Sequence, residues 1–215
     1  MNTIVPAVIP QSFDHALDAI HMVASFTNEI QIDIVDGHFV HFTSWPYRGS
    51  GSVMLLNKQV RDMTIEVDLM IDEPEKALPI YVDAGVQKVV IHLESTKHFA
   101  DIVDHHRSHT YALGLAISND TSLDSLISAL PYADYVQLMG IRSIGSQGQS
   151  FDETVLNRIT LLRKQFPELT ISIDGSVNAE TLPLLKQAGA NRFVSGSAIF
   201  GATDPKQAYE TLTSL

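Results

Sequence analysis

Eight short apolar, β-branched runs alternate with amphipathic stretches along the whole chain, and this alternation restricts the fold more than any other feature. The runs are TIVPAVI (3–9), EIQIDIV (29–35), TIEVDLMI (64–71), VQKVVIH (86–92), TYALGLAI (110–117), DYVQLM (134–139), LTISID (169–174) and RFVSG (192–196). Helical spacing falls between and after them, over roughly 12–25, 51–61, 74–84, 96–107, 121–130, 152–165, 179–188 and 205–213. Strands that alternate with helices read as βα units of a parallel sheet. Eight units favour a (β/α)8 TIM barrel, of α/β class, over an open doubly wound sheet, which stays open as the alternative. The 215 residues are short for such a barrel but sufficient for one well-covered core, so 1–215 is read as a single domain.

Local signals agree with this reading. Ser12 precedes the first helical stretch, Asp72 or Pro74 opens the third, and Asn178 stands before the seventh. Gly85 and Gly189 follow the third and seventh, where a left-handed C-cap belongs. The absence of cysteine excludes disulfides, zinc–thiolate sites and thiol nucleophiles. A formal charge of -11 argues against nucleic acid as a partner but not against a small anion, which backbone N–H groups can hold. No run approaches the length of a membrane span, and MNTIVPAVIPQSF lacks a basic secretory start, so a cytoplasmic location is expected.

In a barrel, chemistry sits at the C-terminal strand ends and in the loops beyond them. That rule selects Asp33, Asp68, His92, Met139, Asp174 and the Ser195–Ser197 stretch. Each aspartate taken singly is also readable as a helix cap or a paired group. Three on otherwise apolar strands point instead to a divalent cation, to general acid–base work, or to both. Close carboxylates without a cation repel one another, and at least one holds its proton to higher pH. The loops GSQGQSF (145–151), DGSVN (174–178) and SGSAIFG (195–201) are small and glycine-rich in the positions where this barrel class grips phosphate.

Phrases along nearly the whole chain resemble the ribulose-phosphate 3-epimerase family. IDIVDGHFV is similar to its H-x-D-x-M-D-G-H-F, EVDLMIDEP to its V-H-L-M-x-x-x-P, and VVIHLES to its F-H-x-E-[AS]. GLAISNDT resembles G-x-x-x-N-P-x-T, and DYVQLMGIRSIGSQGQSF resembles V-M-[ST]-V-N-P-G-F-G-G-Q-x-F. ISIDGSVNAET and AGANRFVSGSAIF resemble VDGG(V/I)-N and AGA-x-x-V-x-GSAIF. The resemblance implies an epimerase of a phosphorylated ketose, pentulose or hexulose, that works through an enediolate. It implies Asp33 and Asp174 as the acid–base pair, and a divalent metal at Gln31, Asp33, Asp68 and Asp174. Ala7, Met70, Met139, Gly145, Gly148, Gly175, Ser176, Gly196 and Ser197 are implied to line the substrate and phosphate site. A sugar phosphate is the implied ligand, no organic cofactor is needed, and a homo-oligomer is implied.

The departures carry equal weight. Both metal-binding histidines of the family are replaced, by Gln31 and Asp68. An all-oxygen set suits Mg²⁺ or Mn²⁺ better than Zn²⁺, or the site works without metal. The early family serine is Ala7, and its first lining methionine is Val35. A barrel that binds a sugar phosphate as a regulatory or binding protein is therefore the alternative function. The lysine of the D-x-K-x-x-D pattern of orotidine-phosphate decarboxylase relatives is missing from Glu66–Asp72, which disfavours that chemistry. His92 and Arg142 are further candidates at the mouth, and Arg48 is similar; each also reads as a structural or solvent-facing side chain. Trp45 reads as a lid or a core anchor, and His105, His106 and His109 as a solvated helix end.

Overall fold

The computed structural model describes residues 3–56, 62–145 and 148–215. Eight parallel strands close in chain order into a barrel: β1 (Thr3–Val8), β2 (Glu29–Val35), β3 (Thr64–Met70), β4 (Lys88–His92), β5 (Ala112–Ile117), β6 (Tyr135–Met139), β7 (Ile171–Asp174) and β8 (Arg192–Ser195). Outside them run α1 (Phe13–Val23), α2 (Pro74–Asp83), α3 (Phe99–Ser108), α4 (Leu123–Ala129), α5 (Thr154–Gln165), α6 (Leu182–Ala188), α7 (Ser197–Phe200) and α8 (Pro205–Ser214). The barrel, not the open sheet, is what forms. No helix among the described residues is long and apolar enough to cross a membrane.

Side chains alternate across each strand, and the sequence uses this to build two different surfaces. In EIQIDIV, Ile30, Ile32 and Ile34 point outward into the helix-packed core, as do Ile65, Val67 and Leu69 in TIEVDLM. The intervening positions face the barrel interior and are largely polar: Gln31, Asp33, Glu66 and Asp68, all buried. Parallel pairing in register then sets Asp33 beside Asp68 and Met139 beside Asp174.

The end signals behave as their chemistry predicts, with two adjustments. Ser12 accepts from the His15 N–H at 3.1 Å and caps α1. Pro74 occupies the first turn of α2, while Gly189 closes α6 in the left-handed conformation at φ 113°. Asn178 captures the Glu180 and Thr181 N–H groups at 2.9 and 3.1 Å, which makes a turn before α6 and delays the helix to Leu182. The helix expected over 51–61 begins as a 3₁₀ turn, Val53–Leu55, and its residues 57–61 lie outside those described.

Candidate active site

Asp33 is held from two directions. The Ser44 hydroxyl donates to the Asp33 carbonyl at 3.0 Å and accepts from the Val35 N–H at 2.9 Å, so the loop after β2 folds back onto its own strand. Trp45, fully buried, packs on Phe13 with ring centroids 5.5 Å apart and anchors that loop from below; it is a core residue, not a lid. Asp174 ends β7, and its carbonyl accepts from the Gly140 N–H at 2.7 Å. Gly175 follows at φ 94°, a conformation a side chain strains, and a Cβ there would also lie 2.6 Å from Ile141.

The three aspartates converge, with carboxylate oxygens within 4.8 Å of one another. Two glutamine amides join them. Gln31 Nε2 donates to Asp33 at 2.9 Å and to Asp174 at 3.2 Å. Gln137 Nε2 donates to Asp68 at 2.8 Å and to Asp174 at 3.5 Å. His92 Nε2 lies 3.1 Å from the other Asp68 oxygen, and its ring packs on Phe39. The carbonyl oxygens of both glutamines and His92 Nδ1 are buried and find no partner among the described residues.

Burial of like charges decides the protonation. Burial, then Asp174 and Asp68 alongside, push the Asp33 carboxyl well above its usual range, against the Gln31 hydrogen bond. Burial and then Asp68 push Asp174 up to about 7. At His92 burial opposes a charge, but the Asp68 carboxylate outweighs it and raises the ring's affinity for a proton. The arrangement therefore sets the Asp68–His92 contact beside a carboxyl pair, Asp33 and Asp174, that holds its protons more tightly than usual.

Asp33 and Asp174 open into a pocket at the C-terminal strand ends. Its lining includes Ala7, Met70, Met139, Gly145, Gly148, Gly175, Ser176, Gly196 and Ser197, drawn from both halves of the chain. Gln31, Asp68 and His92 are buried and do not line it. Arg142 stays outside, its side chain largely exposed and paired with Asp152 at 3.0 Å, and Arg48 is exposed. Asp36 is a loop clamp that accepts from the His38, Phe39 and Asp72 N–H groups. His105, His106 and His109 belong to the end of α3, where His105 and His109 stack at 4.0 Å and His106 faces Asp134. Ser146 and Gln147 of the 145–151 loop lie outside the described residues.

The family model for the ribulose-phosphate 3 epimerase family matches residues 3–200. The chain belongs to the ribulose-phosphate 3-epimerase family. A ribulose-phosphate 3-epimerase of Mycobacterium leprae is 32% identical over 213 residues, which cover 97% of this chain and 92% of that one. The Bacillus subtilis protein of that name is 32% identical over 185 residues, or 83% and 82% of the two chains. Among solved structures, 3-keto-L-gulonate-6-phosphate decarboxylase from Vibrio cholerae superposes with a TM-score of 0.74 at 16% identity, over 100% of this chain and 97% of that one. The 3-hexulose-6-phosphate synthase from Salmonella typhimurium gives 0.73 at 14% identity, again over 100% and 97%. Such identities speak for the barrel alone.

A divalent metal is general to the ribulose-phosphate 3-epimerase family, and Asp33, Asp68 and Asp174 are where this chain could gather round one. The spacing of Asp33, Asp68 and Asp174 suits a shared cation. The donors do not: Gln31 turns N–H, not oxygen, toward Asp33 and Asp174, and both Asp68 oxygens already have a nitrogen partner. As folded, the residues do not fit the cation of the ribulose-phosphate 3-epimerase family. Gln137 escaped the sequence reading. Its signal was available, since it stands two residues before Met139 and so shares its inward face.

Proposed function

We propose that this chain is an epimerase of a phosphorylated ketose that passes a proton between Asp33 and Asp174 through an enediolate. One observation carries the reading: the two carboxyl groups line one pocket and share a single donor, Gln31 Nε2. A 1,1-proton transfer needs a base on one side of the carbon and an acid on the other. A carboxyl pair with one proton supplies both. The ionised member takes the proton from the carbon beside the carbonyl, and the protonated member delivers its own to the opposite face. The pair ends with its proton count unchanged and the carbon inverted.

Gly175, Ser176, Gly196 and Ser197 form the phosphate end, where small residues admit the anion close to the backbone. Met70 and Met139 supply apolar, adaptable walls beside the reacting carbon. Should a cation be loaded by force, the oxygen set would take Mg²⁺ or Mn²⁺ before Zn²⁺. Arg142, tied to Asp152, has no part in this reading.

The test is proton exchange in D₂O, followed by NMR, with D-ribulose 5-phosphate and with a hexulose 6-phosphate. Deuterium is expected at C3 together with the epimer. Asp174→Asn is expected to slow both by roughly 10²–10⁴-fold. Undiminished turnover in that variant would remove Asp174 from the reaction. Firm binding of both sugars with no exchange would make the chain a binding barrel instead.

A further inference from the structure

We infer that the Gln31 amide occupies the functional place of a cation, so that this barrel assembles its proton-transfer pair without a metal. The inference rests on the epimerase reading for its chemistry, and on hydrogen-bond geometry for its structure. Asp33, Gln31, Asp174, Gln137, Asp68 and His92 form one continuous chain of contacts at 2.9, 3.2, 3.5, 2.8 and 3.1 Å. Every carboxylate in it meets at least one nitrogen. A cation would join the same three carboxylates through their lone pairs; here N–H donors do so.

The orientation of Gln31 follows from its neighbours. A carbonyl oxygen in the place of Nε2 would set one acceptor against two carboxylate oxygens at 2.9 and 3.2 Å. An amide nitrogen has no lone pair to give a metal. A cation would therefore have to displace both Gln31 hydrogen bonds and also compete with Gln137 and His92 for Asp68. Gln137 is the second half of the device. Both Gln31 and Gln137 are fully buried, and each spans two carboxylates. We assign Gln31 and Gln137 as positioning residues, which hold the reacting carboxylates at short range and offset their repulsion.

The experiment compares the full chain as isolated with the same chain after dialysis against EDTA. Three things are measured: metal content, Mn²⁺ binding by electron paramagnetic resonance, and exchange at C3. Metal well below one equivalent is expected, with exchange unchanged by EDTA or by added Mn²⁺, Mg²⁺ or Zn²⁺. Gln31→His restores a nitrogen donor and is expected to strengthen Mn²⁺ binding by at least about tenfold. Exchange that vanishes with EDTA and returns with Mn²⁺ overturns the inference and leaves the epimerase reading standing. Absence of exchange under every condition overturns the epimerase reading, and the Mn²⁺ titration then decides alone. Stoichiometric binding by the wild-type chain, or weaker wild-type binding that Gln31→His leaves unchanged, overturns the inference; binding absent from the wild type, or gained only in the variant, supports it.

Discussion

A buried aspartate held above its ordinary range is an expense in stability, one that the proposed proton transfer accounts for. Asp174 rises from 3.8 to about 7, chiefly through burial and then through Asp68. The folded protein thus binds this proton more tightly than the unfolded chain does. Its stabilising contribution is complete below about pH 4 and is lost as pH climbs through about 7. Asp174→Asn removes that dependence. The variant is expected to gain on the wild type as pH rises from about 5 to about 8, by on the order of 3 kcal/mol, while losing activity. Urea denaturation across that range checks it; a flat difference would show that Asp174 is not the strained group. Asp33, Asp68 and Asp174 were legible because the barrel rule reads strand ends. Gln137 was not, because a lone amide inside DYVQLM carries no charge to draw notice, and its partners lie on other strands.

Between elements, glycine permits a close backbone approach at the mouth. Gly140 follows β6, and a Cβ on it would lie 2.1 Å from the Gly175 carbonyl oxygen, a backbone atom that cannot step aside. The loop carrying Gly145 and Gly148 is thereby seated on the turn that carries Gly175 and Ser176. Gly140→Ala is expected to part these loops, to raise KM for the sugar phosphate about tenfold or more, and to cost about 1–3 kcal/mol. Gly114→Ala is the control, since its Cβ would meet the Tyr135 ring at 2.5 Å away from the pocket. It is expected to cost stability with KM unchanged. Equal KM changes in the two variants would mean that general loosening, not the loop contact, is responsible. The elements themselves were legible, because outward Ile, Val and Leu alternate in step with the strand. The boundaries moved where a side chain intervened, as Asn178 does before α6.

Over the whole molecule, the barrel interior divides into a reactive end and an end that holds the strands together. At the strand starts, Arg192 bonds Glu29 at 2.6 Å, Glu66 at 2.9 Å and Ser172 at 3.1 Å, while the Tyr135 hydroxyl donates to Glu66. Lys88 reaches Glu29 at 2.7 Å. No sequence pattern announces this cluster, because Arg192 and Glu66 stand 126 positions apart and meet only when the barrel closes. A buried ion pair adds little to stability over an apolar filling, yet removing one partner leaves the other charge stranded. Arg192→Leu strands Glu66, which is wholly buried. Burial already raises the Glu66 carboxyl, and Arg192 is the largest influence restraining it. Without the guanidinium, that carboxyl rises further and folding favours its protonated form. The variant is expected to lose about 3–5 kcal/mol near neutral pH and less near pH 5, because a lower pH makes it easier to neutralise the stranded carboxyl. Exchange per folded molecule should persist, since Arg192 touches none of Gln31, Asp33, Asp68 or Asp174 through the bonds above. Urea denaturation at the two pH values, with exchange measured in its absence, separates the ends. Loss of exchange in the fully folded variant would show that the base of the barrel also sets the geometry of its mouth.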